Sequence, residues 1–209
     1  MATFNRQKID RITIYAMLTA LIILMTFTPL GYITTPALAI TLIHLPVIIA
    51  AVTLGIPGGA GMGAVWGITC VIKAVIAPPS PLEGIMFRNP LVAILPRVLA
   101  GLLAGIIFQA LDRGGKKQEN NQAKPKHGKT AFAAGAAALG GALTNTIVTL
   151  TALYALYHAE IGLGELAHFG GLTKFIGAAF AINAPLEIAA AVLLAVPVSV
   201  AVKQAMKRV

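Results

Sequence analysis

Residues 12–72 read ITIYAMLTAL IILMTFTPLG YITTPALAIT LIHLPVIIAA VTLGIPGGAG MGAVWGITCV I, with no Asp, Glu, Lys or Arg anywhere in the run. A hydrocarbon core ~30 Å thick takes about 20 apolar residues per helix. The run is therefore long enough for three passes. Thr28-Pro29-Leu30-Gly31 and Gly55-Ile56-Pro57-Gly58-Gly59 punctuate it. A second charge-free stretch runs from Thr130 to Tyr157. Neither stretch alternates in the way that the strands of a membrane barrel do.

The whole chain agrees with this reading. It is 57% hydrophobic and 11% charged over 209 residues, with a mean hydropathy of +0.84, whereas a soluble domain carries about 25% charged residues. The expected fold class is an all-α integral membrane protein forming a single domain over residues 1–209. Six transmembrane helices are expected at about Ile12–Leu30, Leu38–Leu54, Gly59–Ala77, Leu91–Leu111, Thr130–Tyr157 and Lys174–Val202.

The cations set the orientation. Arg6, Lys8 and Arg11 form one tract. Arg113, Lys116, Lys117, Lys124, Lys126 and Lys129 form a second, within Asp112–Lys129. Lys203, Lys207 and Arg208 form a third. Basic segments stay cytoplasmic. Four spans before residues 112–129 and two after keep all three tracts on one side, so the expectation is N-in and C-in, with 112–129 a cytoplasmic basic loop. Residues 31–37, 78–90 and 158–173 then face outward. The net charge of +9 sits at segment ends, where anionic lipid attracts it, and no folded polar domain exists to gather it for nucleic acid. Ala37-Leu38-Ala39 resembles a cleavage site, but the apolar core before it exceeds the ~7–15 residues of a signal peptide. The single Cys70 allows no disulfide framework.

Four cations fall outside the tracts: Lys73, Arg88, Arg97 and Lys174. Of these, Arg97 lies inside an apolar run, after Pro96. It either snorkels to the outer interface or offers its planar fork to an anion, most simply a carboxylate. An intramembrane cation is a functional-site candidate by default. Asn145 lies mid-span, and Asn183 shares a helix face with Glu187 across Pro185. For the two amides, interhelical hydrogen bonding and a cavity role stand open, while Glu187 reads as structural. His44 reads as a helix-to-helix bond, and no second His or Cys offers metal spacing, so no metal and no cofactor are expected. Trp66 and Tyr32 suit either interface anchoring or a cavity wall. Ala16 and Ala20 lie four apart on one face, a spacing that lets another helix approach closely. No phosphate-binding loop, nucleophile elbow or catalytic acid pair occurs. The chain does not read as an enzyme and cannot itself hydrolyse ATP.

The ordered pieces Thr28-Pro29-Leu30-Gly31, Ile43-His44-Leu45-Pro46-Val47, Leu54-Gly55, Pro78-Pro79-Ser80-Pro81, Asn89-Pro90-Leu91 and Leu95-Pro96-Arg97 resemble the substrate-binding S components of energy-coupling factor (ECF) vitamin transporters. The resemblance implies a multi-pass protein of the bacterial cell membrane that binds a vitamin near the outer face. It also implies docking on a transmembrane coupling subunit joined to two ATP-hydrolysing subunits, with Ala16 and Ala20 at the docking face. Relatives carry riboflavin, folate, pantothenate, pyridoxine or cobalamin. Flat rings favour aromatic stacking and this chain is only 6% aromatic, so pantothenate is the first expectation. In that reading Arg97 takes the carboxylate and Asn145 and Asn183 the amide and hydroxyls, with His44, Tyr32, Trp66 and Asn89 as further candidates. The alternative is a self-sufficient secondary transporter or channel for a small solute. Such a carrier needs a midplane coupling-ion site, for which Pro185 and Glu187 are the only candidates. A third reading is a structural membrane subunit with no ligand.

Overall fold

In a computed structural model, residues 6–33, 40–78, 81–113, 127–157 and 172–208 are described. Helix α1 spans Arg6–Phe27 and ends where Thr28-Pro29 cannot continue it. A short 3-10 turn at Pro29–Gly31 leads into a two-residue antiparallel pair, β1 (Tyr32–Ile33) with β2 (Ile40–Thr41). The remaining helices are α2 (His44–Leu54), α3 (Ile56–Ile76), α4 (Pro81–Met86), α5 (Pro90–Arg113), α6 (His127–Tyr157) and α7 (Leu172–Ala190). A π-helical turn at Ala191–Ala195 joins α7 to α8 (Val196–Arg208).

Among the described residues, five helical segments are long and apolar enough to cross a membrane: α1, α3, α5, α6 and the continuous α7–α8 rod. The expected second span is corrected. Its helix begins at His44 rather than Leu38 and has 11 residues, which rise about 16 Å, roughly half a hydrocarbon core. Ile40 and Thr41 are taken by the strand pair, and residues 34–39 lie outside the described residues. Helix α4 is a further departure, placed within 78–90 where only a loop is expected.

Helix α2 is apolar all round and lies at the centre. From His44 to Val52 every residue is buried, as a helix without a polar face must be. Gly55 then turns the chain with φ +82°, a conformation open to glycine, and Pro57 starts α3 with the fixed φ that a first turn accepts. Helices α3 and α5 meet backbone to backbone. A methyl added at Gly101 would collide with the carbonyl of Gly59, and one at Gly63 with the carbonyl of Arg97. At Gly67 and Gly105 the obstacles are the Cα atoms of Ile94 and Ile56.

At the end of the bundle where α5 finishes and α6 starts, Asp112 accepts from Lys203 Nζ at 3.1 Å and from the Thr130 hydroxyl at 3.4 Å. Lys203 also lies 3.8 Å from the centroid of the Phe108 ring. These contacts tie α8 to α5 and α6. The opposite end, with the strand pair and α4, holds the cavity.

Candidate functional site

One cavity of about 80 Å³, room for a few waters, lies between α3, α5, α6 and α7, bordered by the strand pair and α4. Helix α3 presents Trp66, Cys70 and Lys73 to it. Helix α5 presents Arg97, α6 presents Asn145, Thr146 and Thr149, and α7 presents Asn183 and Glu187. Tyr32 and Thr41 come from the strand pair, and Glu83 comes from α4.

Arg97 is 5% exposed. A proline in a helix lacks the N–H that would bond the carbonyl four residues earlier. Pro96 therefore leaves Val92 O without its helical donor, and Arg97 Nη1 supplies a substitute at 2.8 Å. The same nitrogen reaches Thr149 Oγ1 at 3.3 Å. The guanidinium carbon lies 5.1 Å from the Trp66 ring and 4.9 Å from the Phe87 ring, both within cation–π range. The head group is thus held by two rings and two oxygens, yet its buried Nε has no hydrogen-bond partner among the described residues. Asn145 Oδ1 is likewise buried without a partner. The residues that carry this donor without an acceptor and this acceptor without a donor line the same cavity.

Glu187 is 5% exposed and accepts from the Thr146 hydroxyl at 2.8 Å and from the Thr41 backbone N–H at 3.3 Å. It joins α7 to α6 and to the strand pair while also facing the cavity, so its structural part is real and incomplete. Lys73 Nζ donates to Thr26 O at 2.7 Å and lies 3.8 Å above the Tyr32 ring. Burial pushes the Tyr32 phenol well above its ordinary pKa, so it remains a neutral donor.

Of the residues singled out in the sequence, Arg97, Asn145, Asn183, Tyr32 and Trp66 line this one cavity. His44 and Asn89 do not. His44 is buried, with its ring nitrogens against Thr41 O at 2.7 Å and Glu187 O at 3.2 Å, and it braces the wall from behind. Asn89 Oδ1 accepts from the Leu91 N–H at 3.0 Å, where it caps α5. Ala16 and Ala20 are both exposed on the outer face of α1, on the side away from the core. Lys73, Glu83, Phe87 and Cys70 line the cavity and were not singled out. Positions 66, 70 and 73 share one helix face, which is the signal that could have found Cys70 and Lys73. Among the described residues no group of His, Cys, Asp and Glu could hold a metal ion.

Residues 10–199 match the family model described as "ECF transporter, substrate-specific component". The chain is 30% identical over 166 residues to the pantothenic acid transporter PanT of Lactococcus lactis subsp. cremoris, covering 74% of this chain and 72% of that one. It is 38% identical over 109 residues to the pantothenate transporter PanT of Leuconostoc mesenteroides, covering 50% of this chain and 52% of that one. In fold it is similar to the crystal structure of the S component for biotin from an ECF-type ABC transporter. The TM-score is 0.61 at 17% identity, over 97% of this chain and 95% of that one.

Proposed function

The chain belongs to the family of substrate-specific components of ECF transporters, and from that premise we propose that it captures pantothenate for an ATP-driven importer. One observation carries the reading. Arg97 and Asn145 line one cavity, and each keeps a buried polar atom, Nε and Oδ1, with no hydrogen-bond partner among the described residues, which supports a ligand with an anionic acceptor and a neutral donor. Pantothenate joins a carboxylate to an amide and hydroxyls, with no ring. Arg97 takes the carboxylate, and Asn145 and Asn183 take the amide and hydroxyls.

The aromatic residues favour the same class. Trp66 and Phe87 each have Arg97 at the ring, and Tyr32 has Lys73. These cations compete for ring faces that a flat vitamin would need for stacking. Two relatives whose names include pantothenate add support from sequence.

The proposal includes six helices with both termini cytoplasmic in a bacterial cell membrane, 112–129 as a cytoplasmic basic loop, and the cavity toward the outside. It includes docking through Ala16 and Ala20 on a transmembrane coupling subunit joined to two ATP-hydrolysing subunits. The family's members are components of transporters rather than enzymes.

The test is a thermal-shift and calorimetric panel on the purified protein with pantothenate, riboflavin, folate, pyridoxine, cobalamin and biotin. A ligand that binds the native state stabilises it in proportion to the logarithm of its concentration over Kd. Stabilisation by pantothenate alone is expected. A shift with another vitamin and none with pantothenate refutes the assignment, and gradient-driven uptake in liposomes without partner subunits refutes the family mechanism for this chain.

A further inference from the structure

Two cations line the cavity, and the reading above uses one of them. Lys73 lies seven residues beyond Trp66 on the same face of α3, a rise of about 10 Å, toward the end of the bundle that carries the strand pair. Arg97 is stacked on Trp66, so the two cations stand at different depths. Arg97 is buried, and Lys73 is only half-buried. An ammonium has three donors. One is given to Thr26 O, and the Tyr32 ring covers part of the head group. No described carboxylate lies within ion-pair distance of Lys73 or of Arg97, and Asp112 with Lys203 is the ion pair found among the described residues. The buried carboxylate of Glu83 lines the same cavity and lowers the positive potential there without closing an ion pair on Lys73. A cation in a membrane segment that is left without an ion pair is a functional candidate.

We propose that Lys73 is the outer station of the ligand's path, drawing the carboxylate to the mouth of the cavity before Arg97 holds it at depth. This rests on the reading of the site as an anion-capturing pantothenate site that opens outward. The two cations then divide the work. A charge at a mouth acts mainly on the encounter rate and gives it a salt dependence, whereas a buried hydrogen-bonded charge acts on escape. Holding Thr26 O at the end of α1 is a separate, structural task of the same side chain, and the two tasks have different kinetic signatures.

The experiment is stopped-flow mixing of the purified full-length protein with pantothenate at low and high salt. It is followed through Trp66, the single tryptophan of the sequence, and anchored by calorimetric Kd values. In the wild type the association rate should fall as salt rises. Lys73→Met should lower that rate about 3- to 10-fold at low salt and flatten its salt dependence, with dissociation changed by about two-fold at most. Lys73→Arg should restore association. A salt-independent wild-type association rate overturns the proposal even if no variant folds. So does a Lys73→Met protein that associates normally and dissociates faster, since the side chain then only props the cavity. Absence of pantothenate binding to the wild type overturns the functional reading itself, and is distinguished by the calorimetry.

Discussion

Replacing Pro96 by Ala should weaken ligand binding while leaving the helix at least as stable. Alanine returns an N–H to the position four residues after Val92, the ordinary helical donor for Val92 O. In the native helix that oxygen receives Arg97 Nη1 at 2.8 Å. A carbonyl has two lone pairs, so the arginine bond is weakened by competition rather than abolished. A hydrogen bond to a charged group contributes about 1.5–3 kcal/mol. Losing a third to a half of it removes about 1 kcal/mol of pre-organisation, about a five-fold rise in Kd. Alanine is about 3 kcal/mol more favourable than proline in a helix interior, and the stability gain is bounded by that figure because α5 already accommodates Pro96. Calorimetric titration with pantothenate and thermal unfolding of the same samples measure the two effects. A raised melting temperature with unchanged Kd would show that Trp66 and Phe87 suffice to hold Arg97, and the argument from the missing N–H would fail.

Arg97→Lys keeps the charge but loses the planar fork, so Kd for pantothenate should rise ~10-fold or more; equal affinity by calorimetry would mean the fork is not used. Gly63→Ala places a methyl against the carbonyl of Arg97, and overpacking of this kind costs about 1–3 kcal/mol. Thermal unfolding should register that cost together with weakened binding, and a melting temperature equal to the wild type counts against the backbone contact. Ala16→Leu and Ala20→Leu should block co-purification with the coupling subunit while sparing ligand affinity, and retained co-purification of both removes that face from the docking surface. A cysteine placed at Gly115 in a Cys70→Ala background should react with an impermeant thiol reagent only from the cytoplasmic side. Labelling from outside would overturn the topology.

The helical class and the long apolar helices were legible because charge-free length is a property of composition alone. The half-length α2 was not. Residues 38–43 are as apolar as a helix requires, yet Ile40 and Thr41 lie in an extended pair, and nothing in the hydropathy of that stretch separates the two outcomes. Arg97 was legible because a cation in the middle of an apolar run has few bland explanations. Lys73 carries little signal in the sequence because it stands near a helix end, where a lysine is ordinary. Only the shared face with Trp66 marks it. Glu83 reaches the cavity on α4, whose six residues are too few to carry a periodic signal. His44 was legible as a polar group in a core but not as a brace for Glu187, since the two meet 143 positions apart.

The glycine-to-carbonyl contacts between α3 and α5 have a consequence for how such a scaffold diversifies. Where two backbones touch, no side chain remains between them to be traded for another. Drift at the glycines of that seam is therefore confined, and the backbone that carries Arg97, whose carbonyl faces Gly63, is held where it cannot shift. Asn145 and Asn183 stand on the opposite wall, on α6 and on the α7 rod that Pro185 and the π-helical turn interrupt. There the side chains can change without disturbing any backbone contact of the glycine seam. One wall of the cavity thus has a fixed backbone while the other is free to change one residue at a time, which would let the accepted molecule change without rebuilding the scaffold.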